Sequence, residues 1–327
     1  MSQTVRWGIL GAANINRDVI PVIQKSPRSQ LVAVASRTRQ KAEDQAKEFN
    51  VPHTYEGYEK VLADREIDAV YIPLANHLHA EWTIKAVEAG KHVLCEKPLV
   101  LTLDEADAVI KAARSTGKIV MEGFAYLHQA HTKKVKDILQ AGMIGEVRVI
   151  NGTFSFVFEN MQDFRWTPEF GGGSLWDIGS YPVSYACWLH GLPVEVYGHK
   201  RLAPGGVDVA FAGQMHFADG AVSQFDCSFD QEFFLDMDIR GTQGRVCFDL
   251  DGDPRAPQTI TVYRGGQVEK IPVEPENQYG CQIRNMEEAI LDKAAPHISL
   301  EESLTFVRTL IALHQSAQEN RPVAVPR

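Results

Sequence analysis

From residue 4 to about residue 123 the chain alternates short apolar, β-rich runs with longer amphipathic ones. The runs are TVRWGIL, LVAVAS, DAVYIPL, HVLCE and IVMEG, and helical stretches between them end near Ser26, Phe49, Ala89 and Gly117. Alternation at this spacing leads to βαβ units and a doubly wound parallel sheet with right-handed crossovers. Several of the strands are nearly continuous apolar runs, as a sheet covered by helices on both faces requires.

After a helical stretch near Lys133 to Ala141 the period changes to two. EVRVINGTFSFVFE and VEVYGHK alternate, and VDVAFAGQMHF and AVSQFDCSF flank Asp219-Gly220, a strong hairpin signal. FFLDMDIRG joins RVCFDL through Thr242-Gln243-Gly244, and TITVYRG joins VEKIPV through Gly265-Gly266. Helices follow at about 277 to 293 and, after a Ser299 cap, at 300 to 318. A chain of 327 residues is a natural length for two domains. The expected division is a dinucleotide-binding α/β Rossmann domain over residues 1–123 and an α+β domain over residues 124–327. The second carries a large, mainly antiparallel sheet for substrate binding and oligomerisation. Such a sheet leaves one face needing cover, and a partner subunit in a homodimer or higher homo-oligomer suits it.

With 44% hydrophobic and 23% charged residues the chain has a folded protein's composition, and its net charge of -9 excludes nucleic acid as a main partner. It has no run of about 18 apolar residues, and its N-terminus lacks the order of an export signal, so no membrane partner and a cytoplasmic location are expected. Five widely spaced cysteines without a C-x-x-C pair suit a reducing compartment. The pairs His77/His79 and His128/His131 lack the companion ligands of a zinc site, so no metal is expected.

The first strand runs into Gly11-Ala12-Ala13-Asn14-Ile15-Asn16 and then a helix, where backbone N–H groups receive a pyrophosphate. Against G-x-G-x-x-G the register is Gly11, Ala13, Asn16. Ala13 still permits close phosphate approach, whereas Asn16 lacks the smallness that close helix packing wants. The second strand ends in Ser36-Arg37-Thr38-Arg39, where a cofactor without a 2′-phosphate calls for a carboxylate on the ribose. A guanidinium there prefers NADP(H), the alternative being solvated loop charges.

The third strand ends in Leu74-Ala75-Asn76-His77-Leu78-His79, at the ligand edge of an open α/β sheet. Asn76 reads equally as an N-cap and as a cofactor contact, with His79 in the first helical turn. The fourth runs into Glu96-Lys97-Pro98, which holds Lys97 extended, and the next exit is Met121-Glu122-Gly123-Phe124-Ala125-Tyr126. Further on, Gly171-Gly172-Gly173 leads to Asp177 and Tyr181, four apart and so on one helical face. The alternative is a capping box, Ser174-x-x-Asp177, with a half-buried tyrosine. Oxidising a hydroxyl needs a base, and a phenol with pKa of about 10 is a poor one at neutral pH. Lowering it by about 3 units takes roughly 4 kcal/mol, the scale of one charge at about 4 Å with an effective dielectric near 20. Lys97 is the candidate ammonium, and Asp177 the orienting group.

Glu96-Lys97-Pro98 and the Gly-Gly-Gly-x-x-x-Asp-x-Gly-x-Tyr set, in this order over essentially the whole chain, resemble the Gfo/Idh/MocA oxidoreductases. Ser36-Arg37, Met-Glu-Gly-Phe-x-Tyr and Tyr181 are similar to the branch of dihydrodiol dehydrogenase and NADP-dependent D-xylose dehydrogenase. The resemblance implies Lys97 and Tyr181 as the catalytic pair, Asp177 as companion and a cis bond before Pro98. It also implies that Glu96, Asn76 and His79 line the nicotinamide end, with Leu74 beside them, that Arg37 meets the adenosine phosphate, and that subunits pair through the second domain's sheet. The expected activity is NADP(H)-dependent hydride transfer to or from a small hydroxylated or carbonyl substrate. Tyr126, His128, Phe154, Phe156, Arg165 and Trp166 either shape its pocket or pack the core. The rivals are a nucleotide sensor without turnover and an NAD-retaining glycosidase.

Overall fold

The computed structural model describes residues 4–249 and 258–326. Leu250, the last residue of the run RVCFDL, and residues 1–3 of the N-terminal stretch lie outside them. By compactness the chain forms two units, Met1–His128 with Gln278–Ser303, and Gln129–Asn277 with Leu304–Arg327.

In the first unit, strands β1 (Val5–Leu10), β2 (Ser29–Ser36), β3 (His53–Glu56), β4 (Ala69–Ile72), β5 (His92–Cys95) and β6 (Val120–Glu122) make one six-stranded sheet. All its pairs are parallel, in the order β3-β2-β1-β4-β5-β6. The crossovers carry helices α1 (Asn16–Lys25), α2 (Arg39–Phe49), α3 (Glu59–Ala63), α4 (His79–Glu88) and α5 (Leu103–Thr116). The order reverses between β1 and β4, so their carboxyl ends open the crevice where such sheets take ligands. Trp7 and Ile9 of β1, Tyr71 of β4 and Leu94 of β5 form the core with Val19, Ile20 and Ile23 of α1. Ile283 and Met286 of α8 (Gln278–Leu291) complete that core, so this unit is discontinuous in sequence.

The second unit holds β7 (Val147–Ser155), β8 (Glu195–Leu202), β9 (Asp208–His216), β10 (Val222–Ser228), β11 (Phe234–Gly241), β12 (Gly244–Asp249), β13 (Gln258–Arg264), β14 (Gln267–Val273) and β15 (Val323–Ala324). They form a nine-stranded sheet in the order β14-β13-β12-β11-β7-β10-β9-β8-β15. Every pair is antiparallel except β7 with β10. The remaining helices are α6 (Ala130–Gln140), α7 (Ser180–His190) and α9 (Leu300–Glu319), the last behind a capping box in which Ser299 and Glu302 bond each other's backbone N–H. Helix α9 approaches the sheet at Gly198, where a Cβ would stand 2.8 Å from the Leu313 carbonyl oxygen. On the other face Thr153, His199, Gln214, Gln224, Asp226 and Asp236 line an open concavity, in which Thr153 donates to Asp226 at 2.7 Å.

Two local expectations are corrected. Asn76 does not cap a helix: it lies inside a 3-10 turn, Asn76–Leu78, and α4 begins at His79 without a side-chain cap. Ser174 and Asp177 form no capping box, because the Ser174 hydroxyl donates to Asp208 instead. The edge strand β3 and the two-residue β15 are absent from the sequence pattern, being short and, in β3, largely polar.

Candidate functional site

In the first unit the turn after β1 begins at Gly11, whose φ of +130° favours glycine and whose added Cβ would stand 2.9 Å from Leu74 Cδ2. The Gly11 N–H donates to Ala35 O at 2.9 Å, while Asn16 N–H donates to Ala13 O and Arg17 N–H to Asn14 O. Between them the N–H groups of Ala12, Ala13, Asn14 and Ile15 donate to no acceptor among the described residues. Four consecutive unengaged amides at the positive end of a ten-residue helix can receive an anion.

At the end of β2, Ser36 is buried while Arg37, Thr38 and Arg39 are exposed. Arg39 is balanced by Glu43 at 3.8 Å and Glu56 at 3.9 Å. Arg37 forms no ion pair among the described residues, so its charge remains available to an incoming anion.

The tips of β4 and β5 are tied together. His79 is wholly buried, with Nδ1 2.7 Å from Pro98 O and Nε2 2.9 Å from Leu74 O. Burial, with the charges of Lys97 and His77, pushes its pKa down to about 4 against the pull of both carbonyls. A neutral ring has one N–H to give, so only one of the two carbonyls accepts from it at a time. Asn76 is buried beside it in the chain, and Leu74 is half-buried. Glu96 accepts from the Tyr71 hydroxyl at 2.7 Å, and burial together with Glu96 holds that phenol well above 10. Lys97 is half-buried, and the Lys97-Pro98 bond is cis.

Glu122, one strand over, is 1% exposed and accepts from Leu99 N–H at 2.7 Å. Burial raises its carboxyl to about 8; the Leu99 N–H, the Ser303 hydroxyl and Lys97 oppose this and Glu96 adds to it. Tyr126 packs edge-on to Phe124, ring centroids 6.2 Å apart, in the 3-10 turn after β6, which also carries the buried His128.

In the second unit the glycine loop makes a one-turn π-helix, Leu175–Gly179, that runs directly into α7. Buried Asp208 organises it by accepting from Ser174 Oγ and Leu175 N–H, each at 2.7 Å, and burial raises that carboxyl to about 6. Asp177, 8% exposed, holds Arg165 Nε at 2.9 Å through Oδ2, and Arg165 also reaches Asp163 at 3.0 Å. The guanidinium lies over the Phe164 and Phe158 rings. Half-buried Tyr181 meets Phe154 edge-on at 5.3 Å. From there aromatic contacts continue through Phe156 and Phe158 to Trp166, which stacks on Phe158.

The second unit thus links Phe154, Arg165, Trp166, Asp177 and Tyr181 in one network of ring contacts and ion pairs. Asp163, Phe158 and Asp208 belong to the same constellation without having been singled out in the sequence. Asp163 had a signal, standing two residues before Arg165 among aromatics, whereas Asp208 sits 34 residues from Ser174 with no motif around it.

A doubly wound sheet with unengaged helix-head amides at its switch point, in one chain with an antiparallel sheet that carries a polar and aromatic cluster, is the architecture of two-domain nucleotide-dependent oxidoreductases. Residues 5–124 match the Gfo/Idh/MocA oxidoreductase family, NAD-binding Rossmann fold, and residues 132–247 match the Gfo/Idh/MocA C-terminal domain. The chain belongs to the Gfo/Idh/MocA oxidoreductase family. It is 34% identical to a D-xylose 1-dehydrogenase (NADP(+)) of Haloferax volcanii, over 97% of this chain and 98% of the relative. It is 30% identical to the trans-1,2-dihydrobenzene-1,2-diol dehydrogenase of Mus musculus, over 74% of each. Among solved structures, a 3-ketoreductase from Actinomadura kijaniata in complex with NADP and TDP-benzene superposes with a TM-score of 0.90 at 29% identity, covering 96% of this chain and 98% of that one. The family resemblance carried by the sequence motifs therefore holds, and so does its branch.

Proposed function

We propose that this protein is an NADP(H)-dependent oxidoreductase that moves a hydride between the nicotinamide and a carbinol carbon of a small sugar, polyol or cyclic diol. The observation that carries this reading is the set of four amides at the head of α1 and the exposed Arg37, all unpaired among the described residues, with Arg37 standing where an NAD-preferring chain would place a carboxylate. The residues present therefore fit NADP: Gly11 to Ile15 for the pyrophosphate, and Ser36, Arg37, Thr38 and Arg39 for the 2′-phosphate and ribose. Leu74, Asn76, His79, Glu96 and Lys97 are proposed for the nicotinamide end.

When bound, the nicotinamide supplies the hydride acceptor or donor. Tyr181 is the proposed proton carrier: its phenolic oxygen takes the hydroxyl proton in the oxidative direction and returns it in the reductive one. The ammonium of Lys97 is assigned the lowering of that phenol into the neutral range. Asp177, its carboxylate fixed by Arg165, is assigned the orientation of the substrate hydroxyl. Arg165 is matched by two carboxylates and offers no surplus positive charge to a phosphorylated sugar, which favours an uncharged substrate. Tyr126, Phe154 and Trp166 are the proposed apolar walls. We assign residues 1–123 to the dinucleotide and 124–327 to substrate and self-association, except that residues 124–128 and 278–303 pack with the first unit, the open sheet face serving a homodimer, and a cytoplasmic location.

The test is absorbance at 340 nm with NADP or NAD and a panel of aldoses, polyols, cyclic diols and aryl glycosides. Steady NADPH production with a sugar or diol is expected. Tight NADPH binding without turnover across the panel would instead make the protein a sensor, and glycoside release without net reduction would make it a glycosidase.

A further inference from the structure

The third glycine position of the phosphate turn is taken by Asn16, which is wholly buried, with its Nδ2 bonded and its Oδ1 without a hydrogen-bond partner among the described residues. Its Nδ2 donates to Gly11 O at 2.7 Å and to Gln45 Oε1 at 2.6 Å. Gln45, on α2, donates in turn from Nε2 to Ala13 O at 3.2 Å. The opposite orientation of the Asn16 amide would set Oδ1 against two acceptors, so the partners fix it. Gly11 O is thereby drawn back into protein, and Ala13 O is held inward jointly by Gln45 and the Asn16 backbone N–H. Swung outward, those oxygens would oppose a phosphate; held inward, they leave the N–H groups of Ala12 to Ile15 facing away from the chain's own acceptors. A glycine at position 16 would remove the donor to Gly11 O and open a gap where α1 and α2 now meet through side-chain amides.

We infer that Asn16 and Gln45 form a positioning pair that aims the amides of Ala12, Ala13, Asn14 and Ile15 at the pyrophosphate of NADP(H), an inference that rests on the cofactor reading above. The pair touches no cofactor atom itself; it acts through the turn. Its effect therefore belongs to the pyrophosphate and is blind to the 2′-phosphate that Arg37 is proposed to meet.

The experiment measures the dissociation constants of NADPH, NADH and 2′-AMP for the parent, Asn16→Ala and Gln45→Leu. 2′-AMP carries the adenine, ribose and 2′-phosphate but no pyrophosphate. Each variant is expected to weaken NADPH and NADH by a common factor of about 10, equivalent to about 1.4 kcal/mol, while 2′-AMP stays within about twofold of the parent. The double variant is expected to lose less than the product of the single losses, because the two amides share one network. Gln45→Leu leaves the Asn16 bond to Gly11 O in place, and so carries the test if Asn16→Ala does not fold. Unchanged NADPH binding in folded Gln45→Leu, or equal weakening of NADPH and 2′-AMP, overturns the inference. A parent that binds neither nucleotide removes the cofactor reading itself, and the pair's role with it.

Discussion

Arg37 and Arg39 stand two residues apart yet meet different surroundings, and the difference decides which of them has charge to offer. Arg39 already faces Glu43 and Glu56, while Arg37 faces no carboxylate among the described residues. Replacing Arg37 by Asp puts a repelling charge where a 2′-phosphate would sit and a hydrogen-bond acceptor where ribose hydroxyls would. The Arg37→Asp variant is expected to shift preference from NADP toward NAD by at least about 10-fold in kcat/KM, the scale of one charge-assisted contact; unchanged coenzyme discrimination would remove the argument. Lys97→Met is expected to keep the fold and cut turnover at least about 100-fold, the low end for lost acid–base assistance. Stopped-flow and steady-state rates at saturating cofactor check it, and near-normal turnover would defeat the proposed pair. At this scale the candidate residues were legible because each sits at a strand tip or inside a motif with fixed spacing. The partners that set their chemistry were not. Arg165 with Asp177, and Ser174 with Asp208, join residues from different segments, and nothing in a one-dimensional pattern says which carboxylate a buried hydroxyl will find.

The entrance to α7 shows how an element can be read correctly in kind and wrongly in cause. Sequence spacing puts Asp177 and Tyr181 one turn apart, and the helical run over 175–190 agrees, but its start is a π-helical turn organised from outside by Asp208. Gly173 makes that possible: its φ is +113°, and an added Cβ would strike the Asp208 carboxylate. Gly173→Ala is thus expected to cost at least about 2 kcal/mol in urea unfolding, from the backbone conformation alone with the clash added. A midpoint unchanged within error would show that the loop has another way to start the helix. The hairpins at Asp219-Gly220 and Gly265-Gly266 were legible for the opposite reason, since their turn residues are local and sufficient. The return of α8 to the first unit was not, because an amphipathic pattern shows that one face is buried and is silent about what buries it.

Over the whole molecule, buried titratable groups of both kinds give stability a slope on each side of neutrality. His79, His92 and His131 are pushed down to about 4, and His314 to about 3, chiefly by burial. Each is neutral when folded, so its contribution is present above about 6.5 and is lost as pH falls toward 4. Glu122, raised to about 8, and Asp208, raised to about 6, act in the other direction. A carboxyl raised in the folded state binds its proton more tightly there than in the unfolded chain. Its contribution is complete below the unfolded value and is lost as pH rises through the folded one. Asp208 has spent most of its effect by neutrality, so the decline from pH 6.5 to 8.5 is left to Glu122. Its integrated size over that window is about 2 kcal/mol for a fully buried carboxyl titrating near 8. Glu122→Gln keeps an acceptor for the Leu99 N–H and cannot ionise, so it is expected to flatten this limb, and to leave the histidine slope unchanged only below about pH 4.5, where Glu122 is protonated both folded and unfolded. Urea unfolding of parent and variant at pH 6.5, 7.5 and 8.5 measures the difference directly. Parallel profiles would mean that Glu122 is already ionised when folded, with Lys97 as its neutralising partner. In that case the proposed ammonium would be committed to a carboxylate of its own unit, leaving less of its charge to acidify a phenol.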